Sequence, residues 1–192
     1  MTRPLFHRLH PLRMAGIASA LALSAALLAA CAGPQVADFA AEQPVLDMRQ
    51  YFNGTLDAYG LFTDRSGKVV KRFTVVMKCS WQGPPGQETG VLDEDFTYSD
   101  GSKQRRVWTL RRLADGRYSG TADDVVGEAA GQEKGNAFRW GYTLMLPVDG
   151  RVIEVQFDDW MYLMNDRVML NKARMSKFGI RLGEVTRSFV KR

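Results

Sequence analysis

The stretch VVKRFTVVMKCSW, residues 69–81, governs the fold of this chain, because its apolar residues recur at every second position. The apolar face carries Val69, Phe73, Val75, Met77, Cys79 and Trp81. The opposite face carries Arg72, Thr74, Lys78 and Ser80. Alternation with a period of two is typical of a β-strand that has one face in a core and the other in water.

The same alternation recurs along most of the chain. Residues 138–146 and 153–163 repeat it, and turn signals such as DRSG at 64–67 and ADG at 114–116 separate the segments. Residues of these types accept the positive φ angles that tight hairpin turns require. Helical periodicity is absent from the sequence, except that we expect a short turn of helix within residues 46–53.

About eight to ten strands joined by tight turns predict an all-β protein built as an antiparallel up-and-down barrel. Closing such a sheet into a barrel removes the exposed edges that favour aggregation. A transmembrane barrel is the competing interpretation, and we reject it. Its lipid-facing band would be interrupted by Arg72, Lys78, Arg105 and Arg111.

The first thirty residues have the layout of an export signal. Arg3, Arg8 and Arg13 precede a stretch without charge, and the sequence LAAC at 28–31 ends that stretch. The uncharged stretch is shorter than the ~20 apolar residues that a transmembrane helix usually needs. The sequence LAAC resembles a bacterial lipobox, and this resemblance implies cleavage before Cys31 and lipidation of Cys31.

We therefore expect a signal peptide at residues 1–30, a flexible tether at 31–45 and one barrel domain at 46–192. The tether is small and polar in composition and contains two prolines. Ala32, not aspartate, follows Cys31, so the analogy with enteric lipoproteins predicts a lipid anchor in the outer membrane, with the protein on its periplasmic face.

Removal of the signal would also remove residues that could bind metals or nucleic acids or take part in catalysis. Both histidines, His7 and His10, and three of the 26 basic residues precede Cys31, which leaves a small net charge and no histidine beyond it. We therefore expect no metal site, no cofactor and no nucleic-acid binding. Cys79 has no disulfide partner if Cys31 is acylated, and we expect it to be buried and unreactive. The sequence predicts that the protein is not an enzyme and has no catalytic residues.

The candidate site consists of charged residues that share strand faces with apolar and aromatic neighbours. The predicted ligand pocket comprises Glu94, Arg106, Trp108, Asp124, Trp140, Tyr142 and Asp159. A buried charge without a partner costs several kcal/mol, so each must form a pair, reach an opening or meet a ligand. Lys71 is a further charge on an apolar face.

Two other interpretations of these charges remain open. They could form a structural ion-pair network, for instance Arg106 with Glu94 or with Asp159. A β-bulge within residues 120–129 would exchange the two faces and make Asp123 and Asp124 interchangeable.

The remaining aromatic and basic residues have simpler explanations. Core packing alone accounts for aromatic residues such as Trp81, Trp160 and Tyr162. We expect most basic residues of 167–192 on a solvated strand face, with a patch that attracts anionic lipid as the alternative.

Six segments resemble a known family: YFNG (51–54), DRSG (64–67), RRVW (105–108), GTADDVVGEA (120–129), FDDWMYLM (157–164) and MSKFG (175–179). They look like the uncharacterised Gram-negative lipoprotein family catalogued as domain of unknown function 3833. The resemblance spans nearly the whole domain and implies a lipocalin-like (calycin-like) barrel without established activity. The resemblance also implies that the protein is encoded near fatty-acid-modifying enzymes, which favours a lipid-like ligand.

The function expected from the sequence is that of a lipid-anchored outer-membrane lipoprotein that binds a small amphipathic or lipid-like ligand in its barrel. Its anchoring partner would be the membrane, through acyl chains such as palmitate on Cys31. An alternative is a filled barrel whose surface docks an unidentified envelope protein. A third hypothesis is a lipid-modifying accessory enzyme that uses carboxylates with arginine or lysine.

Overall fold

The computed structural model describes residues 33–148 and 150–192 of the chain. The predicted signal peptide and Cys31 lie outside the described residues. The chain divides into two units, residues 1–35 and 36–192, and the second contains every described strand.

Ten strands form a closed antiparallel barrel within the described residues. They are β1 (Gly54–Asp64), β2 (Val69–Gln82), β3 (Thr89–Tyr98), β4 (Lys103–Arg112), β5 (Arg117–Thr121), β6 (Ala129–Lys134), β7 (Ala137–Val148), β8 (Arg151–Leu163), β9 (Val168–Lys177) and β10 (Ile180–Lys191). Each strand pairs with the next along the chain, and β10 pairs with β1 from Lys191 opposite Leu56 to Gly183 opposite Asp64. The predicted all-β up-and-down barrel is confirmed.

Burial along β2 follows the sequence alternation. Phe73, Val75, Met77 and Cys79 are buried inside the barrel, and the residues between them are exposed. Val69 departs from the prediction, because it lies beyond a register shift between Phe62 and Thr63 at the end of the barrel and is exposed.

A short helix covers one end of the barrel. Helix α1 (Met48–Tyr51) begins at Asp47, whose side chain accepts hydrogen bonds from the backbone N–H groups of Arg49 and Gln50. The Tyr51 hydroxyl donates to the carbonyl oxygen of Phe189 at 3.1 Å. We call this the closed end; the predicted helical turn is present there. The opposite, open end carries the β1–β2, β3–β4, β5–β6, β7–β8 and β9–β10 connections.

The segment 36–45, predicted to be part of a flexible tether, instead packs on the outer wall. Val36–Phe39 forms a 3-10 turn, and the Phe39 ring lies 5.6 Å from Trp160 and 5.4 Å from Tyr162, centroid to centroid. The backbone N–H of Leu46 then donates to the carbonyl of Gly135 at 2.8 Å. Aromatic contacts hold this segment, and the folded unit begins at Val36 instead of Leu46.

Gly135 provides a test of this packing. It has φ +53°, and a Cβ there would collide with the backbone of Phe39. We expect Gly135→Ala to lower the free energy of unfolding by about 1–2 kcal/mol from the left-handed backbone alone, with a further loss from the collision. Gly116→Ala is the matched control, because Gly116 also has positive φ but faces open space. Chemical denaturation measures both, and equal losses would contradict the packing of 36–45 on the barrel.

Candidate functional site

The barrel interior contains a cavity of about 90 Å³. Its lining includes six of the seven predicted pocket residues: Glu94, Arg106, Trp108, Trp140, Tyr142 and Asp159. This volume is below the ~300 Å³ at which ligand pockets usually begin. It is also smaller than the ~150 Å³ engineered cavity that binds benzene.

The strand register brings the predicted residues together. Glu94 of β3 lies opposite Arg106 of β4, and Trp140 of β7 lies opposite Asp159 of β8. Facing residues on antiparallel strands point to the same side of the sheet, so all four enter the interior. Asp159 is 1% exposed and Glu94 is 3% exposed. The neighbours of Glu94 in sequence belong to the outer face, as the alternation predicts.

A chain of hydrogen bonds surrounds Asp159. The Tyr142 hydroxyl donates to its Oδ2 at 2.9 Å, and the Asn171 amide donates to its Oδ1. Arg187 Nε in turn donates to Asn171 Oδ1 at 3.1 Å. Both carboxylate oxygens of Asp159 are therefore satisfied inside the barrel.

Glu94 is less well satisfied. Its Oε1 lies 3.5 Å from Arg187 Nη1, a long contact, and its Oε2 is buried without a hydrogen-bond partner. A buried acceptor left unpaired costs about 1–3 kcal/mol. Residues lining the cavity therefore leave an unfilled acceptor, Glu94 Oε2, and an unfilled donor, Trp140 Nε1.

Arg106 pairs with neither of its predicted partners. Its Nε and Nη2 contact the Asp124 carboxylate at 3.0 and 2.6 Å, a bidentate pair. The pairings suggested as examples of an ion-pair network, Arg106 with Glu94 or with Asp159, are therefore not formed. Asp124 lies in the β5–β6 loop, which crosses to β7: the carbonyl of Asp124 accepts from the N–H of Met145 at 2.8 Å. This crossing directs Asp124 inward.

Burial controls the protonation of the interior acids. Burial raises the pKa of Glu94, and the nearby Arg187 and Arg106 charges only partly oppose it. Burial likewise raises the pKa of Asp159, opposed by Arg187 and by the hydrogen bond from Tyr142. The pKa of the Tyr142 hydroxyl is also raised by burial, so this hydroxyl stays a donor.

The charges of the interior do not balance. Arg106 and Arg187 bring two positive charges. Three carboxylates, those of Glu94, Asp124 and Asp159, face them. The interior carries one excess negative charge when all are ionised.

Aromatic rings form the walls around these polar groups. Trp108 and Trp140 lie 4.6 Å apart, and Tyr142 stacks on Phe157 at 5.0 Å, centroid to centroid. The contacts give the cavity rigid apolar sides next to a polar cluster. Trp160 and Tyr162, which the sequence left as core residues, lie on the outer wall beneath Phe39.

Two members of the cluster, Asn171 and Arg187, were not predicted from the sequence. The basic residues of 167–192 were expected mainly on a solvated face, yet the Arg187 side chain is 12% exposed. The missed signal is that Arg187 alternates with Val185 and Phe189, both buried in β10. Lys71, expected inside, instead pairs with Asp100 near the open end at 2.9 Å.

Cys79 is buried in β2, as predicted, and burial raises the pKa of its thiol to about 12.

Across residues 33–148 and 150–192, no group of three or more histidine, cysteine, aspartate or glutamate side chains is arranged to hold a metal ion. No helix in the described part of the chain has the length and apolarity to cross a bilayer.

The protonation of Glu94 leads to a stability prediction. A carboxyl whose folded-state pKa is raised penalises the folded state progressively as the pH rises from the ordinary value of 4.5 through the folded pKa. We expect Glu94→Gln to unfold at a higher temperature than the wild type at neutral pH, and the gain to shrink in acid. Thermal unfolding at several pH values measures this.

Asp93→Asn is the matched control for Glu94→Gln. Asp93 is adjacent but faces outward, where Arg105 Nε donates to it at 2.8 Å and lowers its pKa. This variant should lose a little stability at neutral pH, at most ~1 kcal/mol. A loss for Glu94→Gln at neutral pH would instead identify Glu94 as a structural partner of Arg187.

A search of solved structures finds a similar barrel in an S-type phycobiliprotein lyase from Guillardia theta. The TM-score is 0.56 and the identity 9%, over 83% of this chain and 98% of the other. This likeness confirms the lipocalin-like fold. It also overturns the prediction that the protein is not an enzyme, because a protein named a lyase has a similar fold and the fold therefore does not argue against catalysis.

A search of curated proteins finds no match. A family model described as "Protein of unknown function (DUF3833)" matches residues 25–191. The match covers the whole barrel and agrees with the resemblance of the six sequence segments. The chain belongs to this family of proteins of unknown function.

Proposed function

We propose that this chain is a lipid-anchored envelope protein whose barrel binds a small, largely apolar molecule with a hydrogen-bond donor at one end. The observation that carries the proposal is the Glu94 carboxyl group, which is buried beside the cavity with Oε2 unpaired. A ligand donor at this position would satisfy the acceptor that the fold leaves open.

The charge of the interior selects the kind of head group. When the two arginines and three carboxylates of the interior are all ionised, their one excess negative charge disfavours a ligand carboxylate, which would add a second negative charge. A hydroxyl or an ammonium group donates to Glu94 without that repulsion. The ligand is therefore closer to an alcohol or an amine than to an ionised fatty acid.

The cavity volume limits the size of the ligand. About 90 Å³ accommodates only part of a lipid-like chain, unless side chains near the open end move. Phe62 and Tyr98 line the cavity and are only partly buried, so these two side chains have room to move and enlarge it. A short chain is the appropriate first probe.

Matched six-carbon probes test this proposal through the fluorescence of Trp108 and Trp140. We expect hexanol and hexylamine to change the emission at concentrations at least about tenfold lower than hexanoate, a difference of ~1.4 kcal/mol. Glu94→Gln should remove most of that discrimination, whereas Asp93→Asn should keep it. Absence of binding by all three probes would reject the pocket, and preferential binding of hexanoate would reject the head-group assignment alone.

The small cavity favours a second candidate function. The interior is nearly filled, and an outer groove of about 640 Å³ crosses β1 at Gly60, flanked by the half-exposed Tyr59 and Leu170. A filled barrel with such a groove would serve to dock another envelope protein. Native mass spectrometry of protein purified from its host separates the two: a bound small molecule supports the pocket, and a bound polypeptide supports docking.

The proposed anchor is tested by lipid labelling. We expect cells grown with an alkyne analogue of palmitate to label the wild-type protein, and Cys31→Ser to lose the label and to keep the mass of the unprocessed chain. Cys79→Ser is the control, because the Cys79 thiol is buried in the barrel. Label that persists in Cys31→Ser would reject Cys31 as the lipidated residue.

A further inference from the structure

Three neighbouring hairpins at the open end expose large apolar side chains. The β1–β2, β9–β10 and β7–β8 hairpins are adjacent around the barrel, because β1 pairs with β10 and β9 with β8. We call their exposed apolar residues the apolar rim: Val69, Val70, Val148, Val152, Phe178 and Ile180. Large apolar side chains exposed together on adjacent hairpins are typical of an interaction site.

Phe178 is the most informative residue of the apolar rim. It is 86% exposed and adopts φ +51°, a left-handed conformation that bulky residues rarely take. Gly179 follows with φ +77°, so the turn geometry favours asparagine before glycine. The Phe178 ring contacts the Lys177 ammonium group, 4.7 Å from the ring centroid, and otherwise reaches into solvent. Strain that the folded state does not repay points to a role outside the fold.

The charges around the apolar rim are mainly positive. Residues 64–70, 148–152 and 177–182 contain five basic residues, Arg65, Lys68, Arg151, Lys177 and Arg181, and two acidic residues, Asp64 and Asp149. The Asp64 carboxylate is already engaged by the backbone N–H groups of Ser66 and Lys68 within its own turn. Arg181 also contacts Glu184 behind the tip.

The other side of the open end has a different character. Exposed acidic residues, Asp100, Asp123 and Glu128, lie on the β3–β4 and β5–β6 connections, with Lys103 beside them. Exposed apolar tips and cations are therefore concentrated in one sector of the opening, whereas the β5–β6 connection exposes Val126 among acidic residues. The combination of apolar tips and cations matches the boundary between the phosphates and the acyl chains of an anionic membrane.

We propose that the apolar rim docks the open end of the barrel on an anionic lipid surface. The apolar tips enter the acyl region, and the five cations contact the lipid phosphates. This contact is separate from the anchor proposed at Cys31 and does not depend on the ligand pocket. It would set the opening of the barrel against the membrane.

Tryptophan reporters at the two ends of the barrel test the orientation. Phe178→Trp places an indole on the apolar rim, and Met164→Trp places one at an exposed turn of the closed end. Each variant of the full-length protein is mixed with vesicles of phosphatidylcholine, with or without phosphatidylglycerol, that carry brominated acyl chains. The wild-type emission is subtracted to remove the four native tryptophans.

We expect the emission of the Phe178→Trp reporter to fall at least twofold and to shift to the blue with the anionic vesicles. The change should be smaller without phosphatidylglycerol, and the Met164→Trp reporter should not change. A lipid on Cys31 would bring both variants to the vesicle equally, so the difference between the reporters measures orientation.

Equal quenching of both reporters, or no quenching of Phe178→Trp, overturns the proposal. A blue shift of Phe178→Trp that grows with protein concentration in the absence of vesicles also overturns it, in favour of a second copy of this chain.

A second variant checks the contribution of the neighbouring hairpins. Val152→Ser combined with Ile180→Ser, in the Phe178→Trp background, should weaken the quenching several-fold while near-ultraviolet circular dichroism stays native. Val76→Ser with Val107→Ser, exposed on the barrel wall, is the control and should not change it. Unchanged quenching in the first variant would limit the contact to one residue and reject a docking surface.

Discussion

Closure of the sheet by the pairing of β1 with β10 is the constraint on which the rest of this structure depends. Because closure leaves no free edge, every inward residue of all ten strands must share one interior. Arg187 of β10 thereby meets Glu94 of β3, although 93 residues separate them in the sequence. The polar cluster is thus a product of closure, and no two adjacent strands contain it.

The two buried acids of the cluster have different roles in the energetics. Asp159 receives hydrogen bonds from Tyr142 and Asn171, so its burial is compensated locally. Glu94 has one long contact with a guanidinium group and one unpaired oxygen. A fold optimised for stability alone would replace such a group with an apolar one of similar size. Retention of an under-satisfied acid beside a cavity is the pattern of a functional group that lowers stability.

The sequence predicted the direction of side chains well and their partners poorly. Period-two counting placed Glu94, Arg106 and Asp159 inside, because alternation along a strand is a local property. Their pairing depends on the tilt and stagger of the barrel, which no single strand encodes, so the expected partners of Arg106 were wrong. The packing of 36–45 was not predicted because it depends on one residue, Phe39, in a segment whose composition is otherwise that of a tether. The burial of Arg187 was not predicted because most basic residues of its segment were expected to be solvated.

The two ends of the barrel differ: the closed end has contacts that stabilise the fold, and the open end exposes side chains available for interaction. At the closed end, α1 has a capped N-terminus, the Tyr51 hydroxyl is hydrogen bonded and Trp81 Nε1 donates to the Phe52 carbonyl at 2.7 Å. At the open end, Phe178 is held in a strained, exposed conformation. The likeness to a lyase structure identifies the scaffold, and a scaffold of this kind supports different chemistries. The features that the fold itself does not require are the unpaired Glu94 carboxyl group inside the barrel and the strained, exposed Phe178 at its open end. These two features distinguish this chain from its scaffold.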